Sequence, residues 1–271
     1  MGQVGAVGLP REIADGITWF GECLHAPLGD EIVHGYNSVY LVSGTECSLL
    51  VEAGAPRDLP MIEAQLGALL DDAPPLRYVF TTHTEAPHAA GVGRLLQRFP
   101  DVMVCGDVED LHLIFPEYTD RMRQLAPGDE LALGGTTFRV VEGVMRDMPR
   151  TRWGYDTARR SLFPGDGFAY AHYHRAGQCG KLAEEVPTLD LPSMTALFSI
   201  AAFYWTRFVD IELYIERLAE LVFSELVVDL VAPTHGLPIS DVRARFPDIG
   251  AGLRLGTTST LNDYTRPPTS A

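Results

Sequence analysis

The chain has 271 residues, of which 46% are apolar and 21% charged, a composition typical of globular proteins with room for a sizeable core. The formal net charge of −15 argues against a nucleic-acid partner or an anionic membrane surface, because both require clustered Lys and Arg. No apolar stretch approaches about 18 residues, and the first residues lack a basic start followed by an apolar run. The sequence therefore predicts neither a membrane span nor a signal peptide.

The first half of the chain alternates strand and helix patterns. The predicted elements are a strand over 17–22, a hairpin over 36–54 that turns at Ser43-Gly44-Thr45, a helix over 56–75, a strand over 76–82, a helix over 88–100 and a strand over 101–106. The strand over 76–82 is a short apolar run, typical of a strand buried on both faces. This part of the chain therefore predicts a βαβ unit with parallel strands.

The second half predicts two antiparallel hairpins, then helices and a last buried strand. The predicted elements are a helix over 108–118, hairpins over 129–143 and 153–166, helices over 190–225 and a strand over 225–236. No stretch rich in Gly, Ser or Pro marks an internal boundary. We therefore predict one domain over 1–255, with a sheet packed on a sheet and helices outside, and a polar, loosely held tail over 256–271.

The four cysteines, Cys23, Cys47, Cys105 and Cys179, lie far apart and include no C-x-x-C pair. Their spacing fits neither a zinc knuckle nor a disulfide framework. The sequence predicts mostly buried, reduced thiols in a cytoplasmic protein.

Three buried strands end in side chains that can bind a metal. The segments are "YVFTTHTEAPH", "SLFPGDG" and "LVAPTHG". Polar groups at strand ends collect where loops are free to vary on a rigid scaffold. Pro87 disfavours helix at Ala86, so His83 and Glu85 are expected two apart in extended backbone, pointing the same way. The candidate ligands are His83, Glu85, His88, Asp166 and His235.

The motifs "HTEAPH", "FPGDG" and "APTHG", with "YNSVYLV" upstream, resemble the metallo-β-lactamase superfamily over about residues 17–237. Within it they are most similar to the flavodiiron and oxygen-binding diiron branch, which carries H-x-E-x-D-H. Glu85 is the discriminating residue, since hydrolytic members normally have a histidine there. The resemblance implies an α/β fold, the αββα sandwich of two mixed β-sheets flanked by helices, with two metals in a groove at one edge.

Two positions depart from the family pattern. Pro87 stands where the family has an aspartate, and proline offers no side-chain ligand. The family's histidine before the second hairpin should fall within 142–156, which contains none, and Asp147 is the nearest candidate by spacing. Two interpretations of Asp147 stay open, a ligand and a surface group paired with Arg146.

The resemblance implies two ligand sets that share a bridging Asp166. One set is His83, Glu85 and Asp166, with Asp147 as its open fourth member. The other set is His88, His235 and Asp166, a two-histidine, one-carboxylate group that suits non-haem iron with open positions for oxygen. Two iron ions are expected, with a single iron, manganese or zinc as alternatives.

Four further residues are candidates for supporting the ligands or lining the groove: His34, His172, Tyr173 and His174. A plain structural role is the alternative for each, because a histidine at a strand end is more often a hydrogen-bonded structural residue than a ligand.

The expected function is that of an iron protein, a metal-dependent oxidoreductase that binds and reduces dioxygen or nitric oxide. No G-x-G-x-x-G follows a strand and no flavodoxin-like stretch remains, so no flavin is expected on this chain. Electrons would then come from a separate donor protein or an organic substrate. The alternatives are a metal-dependent hydrolase of an ester, lactone or thioester, and a non-catalytic oxygen or metal sensor with a degenerate site. The apolar helices after residue 190 also leave a homodimer open.

Overall fold

The computed structural model describes residues 8–28, 31–172 and 179–265, and for the parts of 24–35 that it describes it gives the main chain alone. The strands described there form two sheets. The first sheet has the strands β1 (Arg11–Ala14), β2 (Ile17–Leu28), β3 (Glu31–Ser43), β4 (Ser48–Val51), β5 (Leu76–Thr81), β6 (Met103–Gly106) and β7 (Met122–Gln124), side by side in that order. The second sheet has β8 (Glu130–Ala132), β9 (Thr137–Glu142), β10 (Arg152–Asp156), β11 (Ser161–Phe163) and β12 (Leu230–Val231), in the order β12-β11-β10-β9-β8.

Both sheets are mixed. In the first, β1 to β4 pair antiparallel, whereas β4, β5, β6 and β7 run parallel. In the second, β8 to β11 pair antiparallel and β12 joins β11 in parallel. The hairpin at residues 36–54 and the βαβ unit that follows it are confirmed, since parallel neighbours need a crossover connection.

Helices cover the outer faces of the two sheets. Their bounds are α1 (Leu59–Leu70), α2 (Ala86–Ala89), α3 (Val92–Arg98), α4 (Leu111–Ile114), α5 (Leu191–Ala202), α6 (Ile211–Glu220), α7 (Val242–Thr258) and α8 (Asn262–Thr265). In β2, Trp19 faces the core between the sheets and Phe20 faces α1 and α3, as the two-residue period of a strand requires. The predicted α/β fold, an αββα sandwich of two mixed sheets flanked by helices, is confirmed.

The last predicted strand differs from the sequence prediction. The strand expected over 225–236 is reduced to the two residues of β12, because β11, its parallel neighbour, is itself only three residues long. Helix α7 runs to Thr258, and the division at residue 255 between the domain and a polar tail stays a prediction. Within the described ranges, no helix combines the length and the apolar character needed to cross a membrane.

Candidate metal centre

Four connections at one end of the two sheets, one of which runs into α2, carry the candidate ligands. His83 and Glu85 follow β5, and His88 lies in α2 directly after them. Asp147 lies between β9 and β10, Asp166 follows β11, and His235 follows β12. Side chains far apart in sequence are thereby brought to one place by the sheet topology, as expected for a site at strand ends.

The first ligand segment folds differently from the prediction at one residue. Helix α2 begins at Ala86, so the expectation that Pro87 keeps Ala86 out of a helix is wrong. Pro87 lies in the first turn of α2, where its missing N–H would have no partner in any case and its fixed φ suits a helix. Glu85, with φ −66° and ψ 156°, keeps the extended backbone that was expected.

The described residues form two groups of possible metal ligands that share His83. Donor atoms of His83, His88 and Asp166 all lie within 4.8 Å of one another, and so do those of His83, Glu85 and Asp147. His83 and His88 are fully buried, whereas Glu85 is exposed. The second group therefore opens toward the surface.

Asp166 is the point on which two histidines converge. Its Oδ1 atom lies 3.4 Å from Nε2 of His88 and 3.5 Å from Nε2 of His235. These separations are longer than a good hydrogen bond but suit atoms that share a cation. The three side chains are the set that the sequence assigned to one metal.

Asp147 lies against His83. Its Oδ2 atom is 2.9 Å from Nε2 of His83, and its carboxylate is 7% exposed. Arg146, by contrast, forms an ion pair with Glu142 at 3.4 Å. Of the two interpretations of Asp147, this placement favours that of a ligand.

Four buried donor atoms of the cluster test whether a metal fits. His83 Nε2, His88 Nε2, Asp147 Oδ2 and Asp166 Oδ1 have no well-oriented hydrogen bond among the described residues, although His83 Nε2 and Asp147 Oδ2 are close enough for one. Buried polar atoms are almost always satisfied, so a group of unsatisfied ones facing each other indicates a missing partner. A cation at this place would satisfy all four.

Glu52, which the sequence analysis missed, contacts the cluster through the ring of His88. Its Oε1 atom lies 3.0 Å from Nδ1 of His88 and accepts hydrogen bonds from the hydroxyls of Thr82 at 2.6 Å and Thr234 at 3.2 Å. Glu52 is fully buried and has a φ of +67°, a region that non-glycine residues rarely adopt. A carboxylate at the end of the buried strand "SLLVE" was the signal that could have revealed it.

The charged residues of the cluster shift one another's pKa values. Burial lowers the pKa of His83, but Asp147 and Asp166 outweigh this effect and raise it to about 9. Burial raises the pKa of Asp147, but His83 outweighs it and lowers the pKa to about 2. Burial and the charge on His83 hold the pKa of His88 well below its ordinary value, so its imidazole is neutral, the form that binds metals. Burial raises the pKa of Glu52 to about 7.

His235 is oriented by the main chain of β3. Its Nδ1 atom lies 2.5 Å from the carbonyl oxygen of Tyr36, which leaves Nε2 turned toward Asp166. A hydrogen bond to one ring nitrogen is the usual way in which a ligating histidine is fixed.

The remaining candidates are placed only in part. His172 is buried and stacks on Tyr36, with the ring centroids 5.6 Å apart and the planes at 12°. The side chain of His34, and Tyr173 and His174 as a whole, lie outside the described residues. Groove lining by these residues stays a prediction.

The geometry and the fold agree with a family assignment. The family model of the metallo-beta-lactamase superfamily matches residues 33–178, more than half of the chain. The chain belongs to the metallo-β-lactamase superfamily.

Two curated relatives are hydroxyacylglutathione hydrolases. The protein of Rhodobacter capsulatus is 27% identical over 164 residues, covering 60% of this chain and 58% of the relative. That of Thermosynechococcus vestitus is 30% identical over 153 residues, covering 56% of this chain and 54% of the relative. The chain thus spans little more than half the length of these relatives.

Two solved structures share the fold of this chain. Rubredoxin oxygen:oxidoreductase of Desulfovibrio gigas has a TM-score of 0.71 at 15% identity, covering 91% of this chain and 60% of that one. The flavodiiron protein of Giardia intestinalis has a TM-score of 0.69 at 16% identity, covering 90% and 57%. At these identities the likeness shows the fold.

Proposed function

We propose that the chain is a non-haem iron protein whose dinuclear centre binds and reduces dioxygen or nitric oxide. The observation that carries the proposal is the pair of adjoining donor groups joined at His83, with their unsatisfied buried atoms. The fold shared with flavodiiron proteins supports it, and so does Glu85, which occupies the position that the sequence resemblance links to the diiron branch.

We assign the donors to two metal positions of different chemistry. His88, His235 and Asp166 form a two-histidine, one-carboxylate set, which suits iron with open positions. His83, Glu85 and Asp147 form an oxygen-rich set, which suits iron or manganese more than zinc. Bound iron would supply open coordination positions for a diatomic gas and the electrons for its reduction.

The protein's own part is to orient the ligands. The Tyr36 carbonyl fixes the ring of His235, and Glu52 lies at Nδ1 of His88, so each ring directs its Nε2 atom to Asp166. The partly open side at Glu85 gives a gas or an organic substrate a way in. Electrons come from a separate donor protein or from an organic substrate oxidised in the groove.

Iron content and oxygen uptake test this proposal. Anaerobic reconstitution with Fe(II) should give two iron ions per chain, and admission of oxygen should produce an absorbing ferric species with measurable oxygen consumption. The Asp147→Asn variant should retain one iron ion, and Asp156→Asn, a buried carboxylate away from the cluster, should retain two. A protein that takes up no iron, or an iron-loaded protein inert to both gases, refutes the proposal.

A hydrolase is the second candidate, because both curated relatives carry that name. In that case a metal-activated water would attack a thioester such as a hydroxyacyl derivative of glutathione. Pro87, which has no side-chain acceptor for the proton of such a water, speaks against it. The hydrolase is favoured if the colourless zinc-loaded protein cleaves this thioester and the iron-loaded protein consumes no oxygen.

A further inference from the structure

A pair of cysteines lies in the core close to the metal centre. Cys23 on β2 and Cys179, which follows the second gap in the described residues, are hydrogen-bonded through their side chains. Cys23 is 6% exposed and Cys179 is 3% exposed. The two residues are far apart in sequence, so only the fold brings their sulfur atoms together.

Tyr36 organises this pair. It is the cross-strand neighbour of Cys23 in the pairing of β2 with β3, and its hydroxyl is hydrogen-bonded to both thiols. The same hydroxyl accepts a hydrogen bond of 2.8 Å from the backbone N–H of Gly180. The segment that carries Cys179 is thereby held against β3.

Tyr36 also connects the cysteine pair to the candidate metal centre. The side chain of Tyr36 contacts the thiols, while its carbonyl oxygen contacts Nδ1 of His235 at 2.5 Å. The ring of His172 stacks on the other side of Tyr36. One residue therefore joins the two cysteines to a candidate ligand.

The other two cysteines are isolated from this pair. The Cys47 thiol donates to the carbonyl oxygen of Ala132 at 3.8 Å, and the Cys105 thiol donates to that of Val79 at 3.5 Å. Both bonds end on main-chain atoms, and among the described residues neither thiol is hydrogen-bonded to another thiol.

We propose that Cys23 and Cys179 are a redox-modification site that hydrogen peroxide converts to a disulfide. Peroxide oxidises one thiol to a sulfenic acid and releases water. The second thiol then attacks that sulfur, which forms the S–S bond and releases a second water. Two S–H bonds and one O–O bond break, peroxide is reduced and the two sulfurs are oxidised, so no further reactant is needed. The inference does not depend on which metal, if any, the centre holds.

The surroundings select for a small oxidant. Both thiols are buried, so bulky alkylating reagents reach them slowly in the folded protein. Peroxide is small and uncharged and can enter where iodoacetamide cannot. The linkage ties residue 179 to β2 beside Tyr36.

Peptide mapping of the whole chain tests the proposal. The reduced protein, freed of metal by a chelator, is treated with hydrogen peroxide, denatured, alkylated with iodoacetamide and digested without reductant. We expect a Cys23–Cys179 linked peptide, lighter by two hydrogen atoms than the sum of its parts and released by dithiothreitol. Cys47 and Cys105 should be recovered in alkylated form.

Two variants and one condition serve as controls. Cys47→Ser should form the linkage as the wild type does, whereas Cys23→Ser should give no linkage and a sulfenic acid on Cys179 that dimedone traps. Peroxide added in strong denaturant should produce mixed linkages, because the fold no longer selects the pair. The near-UV circular dichroism of each variant reports whether it is folded.

Three outcomes would overturn the proposal for a folded protein. They are full alkylation of Cys23 and Cys179 after peroxide treatment, their conversion to sulfinic acids without a linked peptide, and linkage that includes Cys47 or Cys105 as often as the proposed pair.

Discussion

Nε2 of His88 lies 3.4 Å from Oδ1 of Asp166, and neither atom has a hydrogen-bond partner among the described residues. The Nε2 atom of His235 approaches the same oxygen at 3.5 Å. An oxygen that two imidazole nitrogens face at this distance is placed to share a cation with them. Asp166 is therefore placed to bind the same metal as His88 and His235.

Asp166→Ala should reduce bound metal to background at both positions. The substitution removes the only carboxylate near His88 and His235 in the proposed set, and it also removes a negative charge that acts on His83. Elemental analysis after reconstitution and desalting measures the result. Asp156→Asn, which alters a buried carboxylate bonded to Arg159 and Thr136, should keep its metal. Full loading of Asp166→Ala would refute the bridging role.

Glu52→Gln should weaken metal binding by about 10- to 100-fold, the usual effect of losing a partner behind a ligating histidine. The substitution keeps the shape of the side chain but removes the charge that faces Nδ1 of His88. Competition with a chelator of known affinity measures the change. Glu130→Gln is the control, because it makes the same chemical change at an exposed carboxylate on β8 that pairs with Arg139. This variant should bind metal as the wild type does. Equal affinities for both variants would remove Glu52 from the centre.

The sequence predicted the fold and most of the cluster, because strong local patterns carried them. The apolar run of β5 and the two-residue period around Trp19 specify buried strands, and His83, Asp166 and His235 each follow such a strand. Position in the chain was therefore enough to nominate these residues as candidate ligands.

What the sequence did not reveal depends on contacts between distant segments. Glu52 ends a buried strand, but its role is defined only by its contacts with Thr82, Thr234 and His88 in the folded chain. The pairing of Cys23 with Cys179 is hidden for the same reason. The helical start at Ala86 was missed because the general preference before proline was applied, whereas Pro87 occupies a first turn that tolerates it.

Gly167→Ala should destabilise the protein by about 1 to 3 kcal/mol, the usual cost of adding atoms to a filled core. A Cβ atom at this position would lie 2.1 Å from Cζ2 of Trp153, a fully buried ring that has no room to move. Because Gly167 follows Asp166, metal affinity should fall as well. Urea unfolding and chelator competition measure the two effects.

A second glycine provides the control for that experiment. A Cβ atom on Gly250 in α7 would meet its nearest neighbours at 3.4 and 3.5 Å, an ordinary contact. Gly250→Ala should therefore leave stability unchanged or raise it by about 0.4 to 1 kcal/mol through the lower entropy of the unfolded chain. If both variants unfold at the same urea concentration, the close packing of Gly167 on Trp153 is not as described.

Cys105 should make the protein less stable at alkaline pH. Burial raises the pKa of its thiol from 9.0 to about 12, so between these values the unfolded chain loses a proton that the folded chain keeps. The contribution of the Cys105 thiol to the free energy of unfolding is therefore constant below about pH 9. Above that pH it falls by about 1.4 kcal/mol per pH unit. In Cys105→Ala the free energy of unfolding should fall less steeply with pH, by the slope that one proton contributes. Urea unfolding between about pH 9 and 10.5 measures this slope. Val104→Ala, which removes buried atoms from the same strand but no titrating group, should lower stability and keep the wild-type slope. An unchanged slope in Cys105→Ala would mean that the thiol is not excluded from water in the folded protein.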